Sequence, residues 1–144
     1  RVEKHQETDT SALDSVARSL PGLIRAEKLQ KKAAKVGFDW ENVQGAFDKV
    51  EEEIGELRQA VDGNGDAEEE LGDLLFAVVN VARHLKVDPE RALEKTCDKF
   101  ISRFASMERQ ARAADQTLSD LSLEELDALW DKAKQTEGRT EEHA

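Results

Sequence analysis

Two clusters of acidic residues, EEEIGE and EEELGD, lie within residues 50–80, and the glycine-rich segment DGNGD separates them. Glu53 and Glu56 in the first cluster are three positions apart, and Glu70 and Asp73 in the second repeat that spacing. Residues three or four positions apart lie on the same face of an α-helix. Each cluster is therefore predicted to present its carboxylates as a stripe along one helix.

The elements that would position these stripes are two antiparallel helices. Apolar residues recur at helical spacing from about Asn42 to Val61, and a second helix is predicted from about Ala67 to Leu85. The second helix contains LLFAVVNVA, which is apolar nearly all round and predicts burial on most sides. DGNGD has the composition of a turn. A short turn favours an antiparallel pair, so the two acidic stripes are expected to face each other.

Four facing carboxylates, with no basic residue expected at the same level, would raise one another's pKa values and destabilise the fold by on the order of several kcal/mol. A hard divalent cation relieves this repulsion, and an oxygen-only ligand set favours Mg²⁺, with Mn²⁺ as a substitute. Di-iron carboxylate bundles are disfavoured because the sequence lacks their Glu-x-x-His pair. The alternative is that the acids lie on solvated helix faces with ordinary i,i+4 support.

Basic residues that could contact a phosphate substrate accompany the acids, because Mg²⁺ held by carboxylates keeps positions open for phosphate oxygens. Lys49 lies one turn before the first acidic pair, and Lys99 and Arg103 are four positions apart on a predicted helix. Each of these is also compatible with an ordinary surface base. Trp130 fits either core packing or base stacking, whereas Trp40 is interpreted as structural.

The whole chain predicts an all-α fold, an antiparallel bundle of about five helices, with no sustained alternating strand pattern. Residues 1–18 are interpreted as a polar linker or disordered arm, residues 19–135 as the folded domain, and residues 136–144 as a disordered tail. An Asp-Pro pair at 88–89 predicts a helix start, and SLEE at 122–125 predicts a capping box.

Composition narrows the classes of partner. The chain has 32 acidic and 21 basic side chains and a formal net charge of −11, which disfavours nucleic acid polymers because their binding relies on Lys and Arg.

Cys97 is the single cysteine and is interpreted as a small buried hydrophobe. No run reaches the length of a membrane span and no signal-peptide pattern opens the chain, so a cytoplasmic protein without a membrane partner is expected. Arg1 in place of Met indicates a piece of a longer chain.

These residues resemble the C-terminal catalytic domain of the MazG nucleoside triphosphate pyrophosphohydrolases, of the all-α NTP pyrophosphatase superfamily. The family motif is EExxE followed after a spacer by ExxD, and EEIGE and ELGD match it here. The resemblance covers roughly residues 19–134 and extends to GFDW at 37–40, LLFAVVNVARHL at 74–85 and KF…RF at 99–104. The spacer DGNGD looks short for the family, and the longer members carry a related N-terminal domain.

The resemblance implies Mg²⁺-dependent hydrolysis of nucleoside triphosphates to the monophosphate and pyrophosphate. The mechanism inferred from it is in-line attack of a metal-activated water, with the α-phosphorus as the expected target. It assigns the metal-ligand positions to Glu53, Glu56, Glu70 and Asp73. Glu52, a neighbouring acid expected to point outward, is the candidate general base. Substrate contacts are implied for Lys49, Lys99 and Arg103 at the phosphates, for Trp130 at the base, and more weakly for Asn80.

Two alternatives to that function stay open. One is a non-catalytic helical module that binds nucleotide or metal without turnover, and the other is a narrow pyrimidine-specific dNTP pyrophosphatase. A homodimer is expected both from the resemblance and because the apolar helix at 67–85 needs more cover than four short neighbours supply.

Overall fold

In this computed structural model, residues 11–143 are described, with Asn64 and residues 138–143 described by their backbone alone. All regular elements within that range are helical, which confirms the predicted all-α class. The five α-helices are α1 (Gly22–Lys35), α2 (Val43–Gln59), α3 (Ala67–His84), α4 (Pro89–Ala113) and α5 (Leu123–His143). A π-helical turn, Ala60–Asn64, follows α2, and a 3₁₀ turn, Leu118–Asp120, precedes α5.

Side-chain caps determine where the two acidic helices begin. The Asn42 carboxamide oxygen accepts a hydrogen bond from the backbone N–H of Gly45 at 3.3 Å, at the start of α2. Asp66 Oδ1 accepts from the backbone N–H of Glu68 at 3.0 Å, at the start of α3. Glu68, Glu69 and Glu70 of the second acidic cluster lie in the first turn of α3, near the positive end of its dipole.

The two helix starts predicted from sequence motifs are confirmed. Asp88 Oδ1 accepts a hydrogen bond from the backbone N–H of Glu90 at 3.0 Å, and α4 begins at Pro89. Before α5, the N–H of Glu125 donates to Ser122 Oγ at 3.2 Å, and the N–H of Ser122 donates to Glu125 Oε1 at 3.0 Å. This reciprocal pair is a capping box.

The chain forms two compact units, one ending at Ala92 and the other beginning at Leu93. In the first unit, α2 and α3 pack along each other and α1 packs on α3. Small side chains allow this close approach, and the buried apolar residues described there are Val16, Ala46, Ala60, Ala77 and Val79.

The second unit contains most of α4 and all of α5. Met107 and Ala111 of α4 and Ala133 of α5 are buried. Gln110 Nε2 donates a hydrogen bond to the backbone oxygen of Leu129 at 3.4 Å. Cys97 is exposed on α4, so its expected burial is wrong: it lies on a helix face that no described residue covers.

Part of the expected N-terminal arm is structured. Residues 11–18 form turns in which the N–H of Asp14 donates to the backbone oxygen of Ser11 at 3.2 Å, and Val16 is buried. Residues 1–10, the rest of the predicted arm, lie outside the described residues.

The backbone of the expected disordered tail is helical as far as it is described. α5 continues to His143 and so includes residues 136–143. The segment QTEGRTEEH offers a physical reason, because Gln, Glu and Arg are good helix formers and no proline interrupts them. A hydrogen bond from Thr136 Oγ1 to the backbone oxygen of Lys132, at 3.0 Å, lies at its beginning.

The apolar surface of α3 is less buried than its sequence predicts. Leu71, Leu75 and Val78 are 47%, 51% and 46% exposed, whereas Ala77 and Val79 are buried. The described part of one chain therefore leaves large aliphatic side chains of α3 uncovered. None of the described helices is both long and apolar enough to cross a membrane.

Candidate active site

Three carboxylates from α2 and α3 converge in the first unit. Glu53, Glu70 and Asp73 each place one oxygen within 4.8 Å of the others. Glu53 is 4% exposed, and Oε2 of Glu53 and Oε2 of Glu70 are buried without a hydrogen-bond partner among the described residues. A buried carboxylate oxygen without a partner is costly, and oxygen-only clusters are the donor set of hard divalent cations. The cluster therefore fits a divalent cation.

Glu56 belongs to the same group of acids. Its pKa is raised above the ordinary value of 4.5, first by the negative charge of Glu53 and then by a hydrogen bond with Glu70. The four acids predicted to face each other across the α2–α3 pair are thus brought together.

Lys49 lies closer to the cluster than the sequence predicts. Its Nζ donates to Glu53 Oε1 at 3.1 Å and to Glu52 Oε2 at 3.2 Å, so the expectation of no basic residue at this level is wrong. The cause is helical geometry, since Lys49 precedes the two acids by three and four residues. The pKa of Lys49 is raised, chiefly by its hydrogen bond with Glu53. Glu52 points outward as predicted, with 57% of its side chain exposed.

A cavity of about 630 Å³ adjoins the cluster within the first unit. This volume lies within the usual range for small-molecule sites. Lys49, Glu53 and Asp73 line one end, and Asn80 and Arg83 line the other. Asp73 and Arg83 are both on α3, ten residues or about 15 Å apart along its axis. Apolar and aromatic walls are supplied by Leu29, Phe38, Trp40 and Phe76.

Arg83 organises the end of the cavity farther from the acids. Its two terminal nitrogens donate to Asp39, Nη1 to Oδ2 at 2.9 Å and Nη2 to Oδ1 at 2.6 Å. Nη2 also donates to Asn80 Oδ1 at 2.9 Å, and Nε lies 3.5 Å from Gln30 Oε1. Gln30 is 5% exposed, and its Nε2 donates to the backbone oxygen of Phe76 at 2.9 Å. This network joins α1, α3 and the loop that carries Asp39.

Asp39 is held as a carboxylate by these donors. Its pKa is well below the ordinary value of 3.8, mainly because of the hydrogen bonds from Arg83. His84 Nε2 at 3.1 Å and the backbone N–H of Trp40 at 2.8 Å also contact Oδ1. Such a bidentate pairing of arginine with a carboxylate fixes the relative orientation of the two side chains and also stabilises the charge of the carboxylate.

The loop between α1 and α2 forms one wall of the cavity, and two glycines shape it. Gly37 has φ of +92°, a left-handed conformation that ends α1 and turns the chain toward Phe38 and Trp40. A Cβ at Gly45 would lie 3.2 Å from the Trp40 ring. Gly45 therefore allows the indole to pack directly on the first turn of α2.

Comparison with known proteins finds a family profile that matches the same region of the chain. Residues 42–107 match the profile of the MazG nucleotide pyrophosphohydrolase domain, a range that contains α2, α3 and most of α4. Residues 42–107 are therefore similar to a MazG domain. The acidic cluster, Lys49, Asn80 and Arg83 all lie within the matched residues.

Curated relatives extend this similarity over nearly the whole chain. An Escherichia coli nucleoside triphosphate pyrophosphohydrolase is 46% identical over 139 residues, 94% of this chain and 53% of that protein. A Thermotoga maritima nucleoside triphosphate pyrophosphohydrolase/pyrophosphatase MazG is 40% identical over 134 residues, 93% of this chain and 52% of that protein. The Bacillus subtilis uncharacterized protein YabN is 49% identical over 143 residues, 97% of this chain and 29% of that protein. The chain thus spans about half the length of the first two relatives.

The remaining predicted site residues lie in the second unit. Lys99 is exposed on α4, within the residues matched to the MazG domain. Arg103 Nε donates to Glu137 Oε2 at 2.7 Å, and its guanidinium lies 5.2 Å from the centre of the Trp130 ring. Phe100 packs at 5.5 Å from the same ring. Arg103 and Trp130 are therefore brought together, and both already have partners within their own unit.

The sequence did not identify the residues at the Arg83 end of the cavity. Asp39, Gln30 and Arg83 are separated by up to 53 positions, so no local pattern links them. Trp40, interpreted as structural, also lines the cavity. One signal was available, because Arg83 follows Asn80 by three residues and so shares its helix face.

Proposed function

We propose that this chain hydrolyses nucleoside triphosphates to the nucleoside monophosphate and pyrophosphate, with Mg²⁺ as the cofactor and Mn²⁺ as a substitute. One observation carries the proposal: Glu53, Glu70 and Asp73 converge within 4.8 Å at one end of a cavity large enough for a nucleotide. The names of the Escherichia coli and Thermotoga maritima relatives support the same activity.

Glu53, Glu56, Glu70 and Asp73 are the residues that would hold the cation. When bound, Mg²⁺ supplies charge neutralisation for the triphosphate and activation of the attacking water. The partnerless oxygens of Glu53 and Glu70 point to this role, since the chain itself provides them with no described donor.

The basic residues would act on the phosphates. Lys49 Nζ lines the cavity beside Glu53 and can move from its two acidic partners to a phosphate oxygen when substrate arrives. Glu52 is the candidate general base, as an exposed acid next to the cluster. Lys99 and Arg103 are also proposed as phosphate contacts. Arg103 would exchange the carboxylate of Glu137 for a phosphate, because a guanidinium binds the oxygens of either group.

The proposed role of Trp130 at the base is separable from a packing role. Because Arg103 and Phe100 already contact the ring, a base would use the remaining ring surface or displace one of them. Trp130→Ala is expected to weaken the binding of every triphosphate by about 1–3 kcal/mol if a base stacks there. Unchanged affinity with a lowered melting temperature would support packing alone.

Release of pyrophosphate tests the proposed activity. Purified chain with MgCl₂ should release pyrophosphate and monophosphate from several triphosphates, and EDTA should abolish the release. Separation of products by ion-exchange chromatography distinguishes this cleavage from release of inorganic phosphate. Nucleotide binding without any product would favour the non-catalytic module instead.

We further propose that the chain forms a homodimer. The exposed apolar side chains of α3 support it, because Leu71, Leu75 and Val78 are each about half exposed and such surfaces usually mark an interface. Light scattering should give twice the mass of the chain, and Leu75→Glu should give the monomer mass. A wild-type monomer at micromolar concentration would contradict the dimer.

A further inference from the structure

The four contacts of Arg83 fix the orientation of the Asn80 carboxamide. Arginine carries donors and no acceptor, so the atom of Asn80 that faces Arg83 Nη2 at 2.9 Å must be its oxygen. The amide NH₂ is then on the opposite side of the carboxamide. Asn80 lines the cavity, and the group it offers a ligand there is a hydrogen-bond donor.

The nearby carboxylate does not compete for that role. Both oxygens of Asp39 are already used, Oδ2 by Arg83 and Oδ1 by Arg83, His84 and the backbone of Trp40. Oδ1 of Asp39 is saturated by three donors, and the one described partner of Oδ2 is Arg83. The Asn80 amide NH₂ is therefore the group at this end that favours a ligand atom able to accept a hydrogen bond.

We propose that Arg83 is a specificity-determining positioning residue, which holds Asn80 as a donor that selects nucleobases carrying a carbonyl oxygen at this edge. The proposal rests on the proposed function. It predicts preference for keto bases (hypoxanthine, guanine, uracil and thymine) over the amino bases adenine and cytosine. An amino group at this edge would place two donors against each other and leave both without an acceptor.

The aromatic walls fit the same ligand. Phe38, Trp40 and Phe76 line the cavity, and aromatic rings stack on any base without regard to its edge. Stacking then supplies affinity and Asn80 supplies discrimination. The Arg83–Asp39 pair serves both, because it ties the loop that carries Trp40 to α3.

The sharpest test compares ligands that differ at the single base edge. Dissociation constants of IMP and AMP, and of UMP and CMP, are measured by calorimetry in EDTA, so that neither metal nor turnover enters. The wild-type chain should bind the keto member of each pair about 10-fold more tightly, the value of one hydrogen bond. With MgCl₂, the same ratio should appear in KM for ITP against ATP, with similar kcat.

Two variants distinguish a role in orienting the Asn80 carboxamide from a purely structural role of Arg83. Asn80→Asp keeps the shape and still accepts from Arg83, but it turns an acceptor to the cavity, so the preference should reverse toward amino bases. Arg83→Met should abolish the preference, since Asn80 is then free to flip and Asp39 regains its acceptors. Arg91→Met, which removes an exposed guanidinium from α4, is the matched control and should keep the wild-type ratio.

Each outcome decides the proposal. Equal affinity of the wild-type chain for IMP and AMP, or a keto preference that survives Asn80→Asp, overturns it. If circular dichroism shows that Arg83→Met is unfolded, the isosteric Asn80→Asp alone decides. Absence of pyrophosphate release from any triphosphate would overturn the proposed function, and the monophosphate measurements would still test the role of Asn80 independently.

Discussion

The two ends of the cavity in the first unit handle charge in opposite ways. At one end, Glu53, Glu56, Glu70 and Asp73 converge, with Lys49 as their described cationic partner. At the other end, the Asp39 carboxylate forms an ion pair with Arg83 and a hydrogen bond with His84. The pKa values follow this difference, because that of Glu56 is raised and that of Asp39 is lowered.

This contrast distinguishes a site that awaits a ligand from one that is organised in advance. Carboxylates left in excess are destabilising until a cation joins them. A matched ion pair with further hydrogen bonds fixes side-chain orientation before any ligand arrives. The acidic end is therefore expected to respond to metal, and the Arg83 end to the identity of the base.

The largest effect is expected from Glu53→Gln at the acidic end. The variant removes a buried ligand charge, and kcat/KM should fall about 1,000-fold, since a catalytic cation contributes several kcal/mol to the transition state. Pyrophosphate release in MgCl₂ measures the loss. Glu51→Gln, an exposed acid of the same helix outside the cluster, is the control and should keep the wild-type rate. Equal rates for Glu53→Gln and wild type would remove Glu53 from the ligand set.

A smaller loss is expected from Lys49→Met. The ammonium is the cation within hydrogen-bonding distance of both Glu52 and Glu53, and its proposed phosphate contact is worth roughly 10- to 100-fold in kcat/KM, as for other charged hydrogen bonds. The variant should retain metal-induced stabilisation, because the carboxylates are untouched. Loss of metal uptake together with activity would instead assign Lys49 a structural role at the cluster.

The smallest effect is a difference in how pH changes stability at the two ends. A raised acid pKa means that the folded state binds more protons, so the contribution of Glu56 is present below pH 4.5 and is lost as pH rises through its folded pKa. A lowered pKa acts in reverse, so the contribution of Asp39 is present above pH 3.8 and is lost as pH falls further.

Thermal melting in EDTA from about pH 8 to pH 4 measures this difference. Glu56→Gln should melt higher than wild type at neutral pH, with an advantage that shrinks as pH falls and the wild-type carboxyl, whose pKa is raised above 4.5, becomes protonated. Asp39→Asn should melt lower than wild type over that whole range. The contrast between the two ends would be contradicted if both variants shifted the melting temperature in the same direction, by an amount that does not change with pH.

The sequence predicts the acidic end far better than the Arg83 end, for a physical reason. Glu53, Glu56, Glu70 and Asp73 are local in sequence, and helical periodicity with one short turn is sufficient to bring them together. The helix starts at Asp88 and Ser122 were predictable in the same way, since capping is also local.

Contacts between distant residues were not predictable from local patterns. The Arg83 network depends on how α1 packs on α3 and on where the loop after Gly37 turns, neither of which periodicity encodes. The ion pair of Lys49 with Glu53 was within reach of the i,i+4 rule, but a long side chain can point to solvent as easily as to a partner.

Uptake of a divalent cation by the acidic cluster tests the central claim most directly. Calorimetric titration of the whole chain with MnCl₂, alone and beside a nonhydrolysable triphosphate, should show binding that Glu53→Gln and Asp73→Asn each abolish. Arg83→Met should leave that binding intact, because its guanidinium lies at the other end of the cavity. Absence of Mn²⁺ and Mg²⁺ uptake even beside nucleotide, or uptake unchanged in Glu53→Gln, would contradict the account.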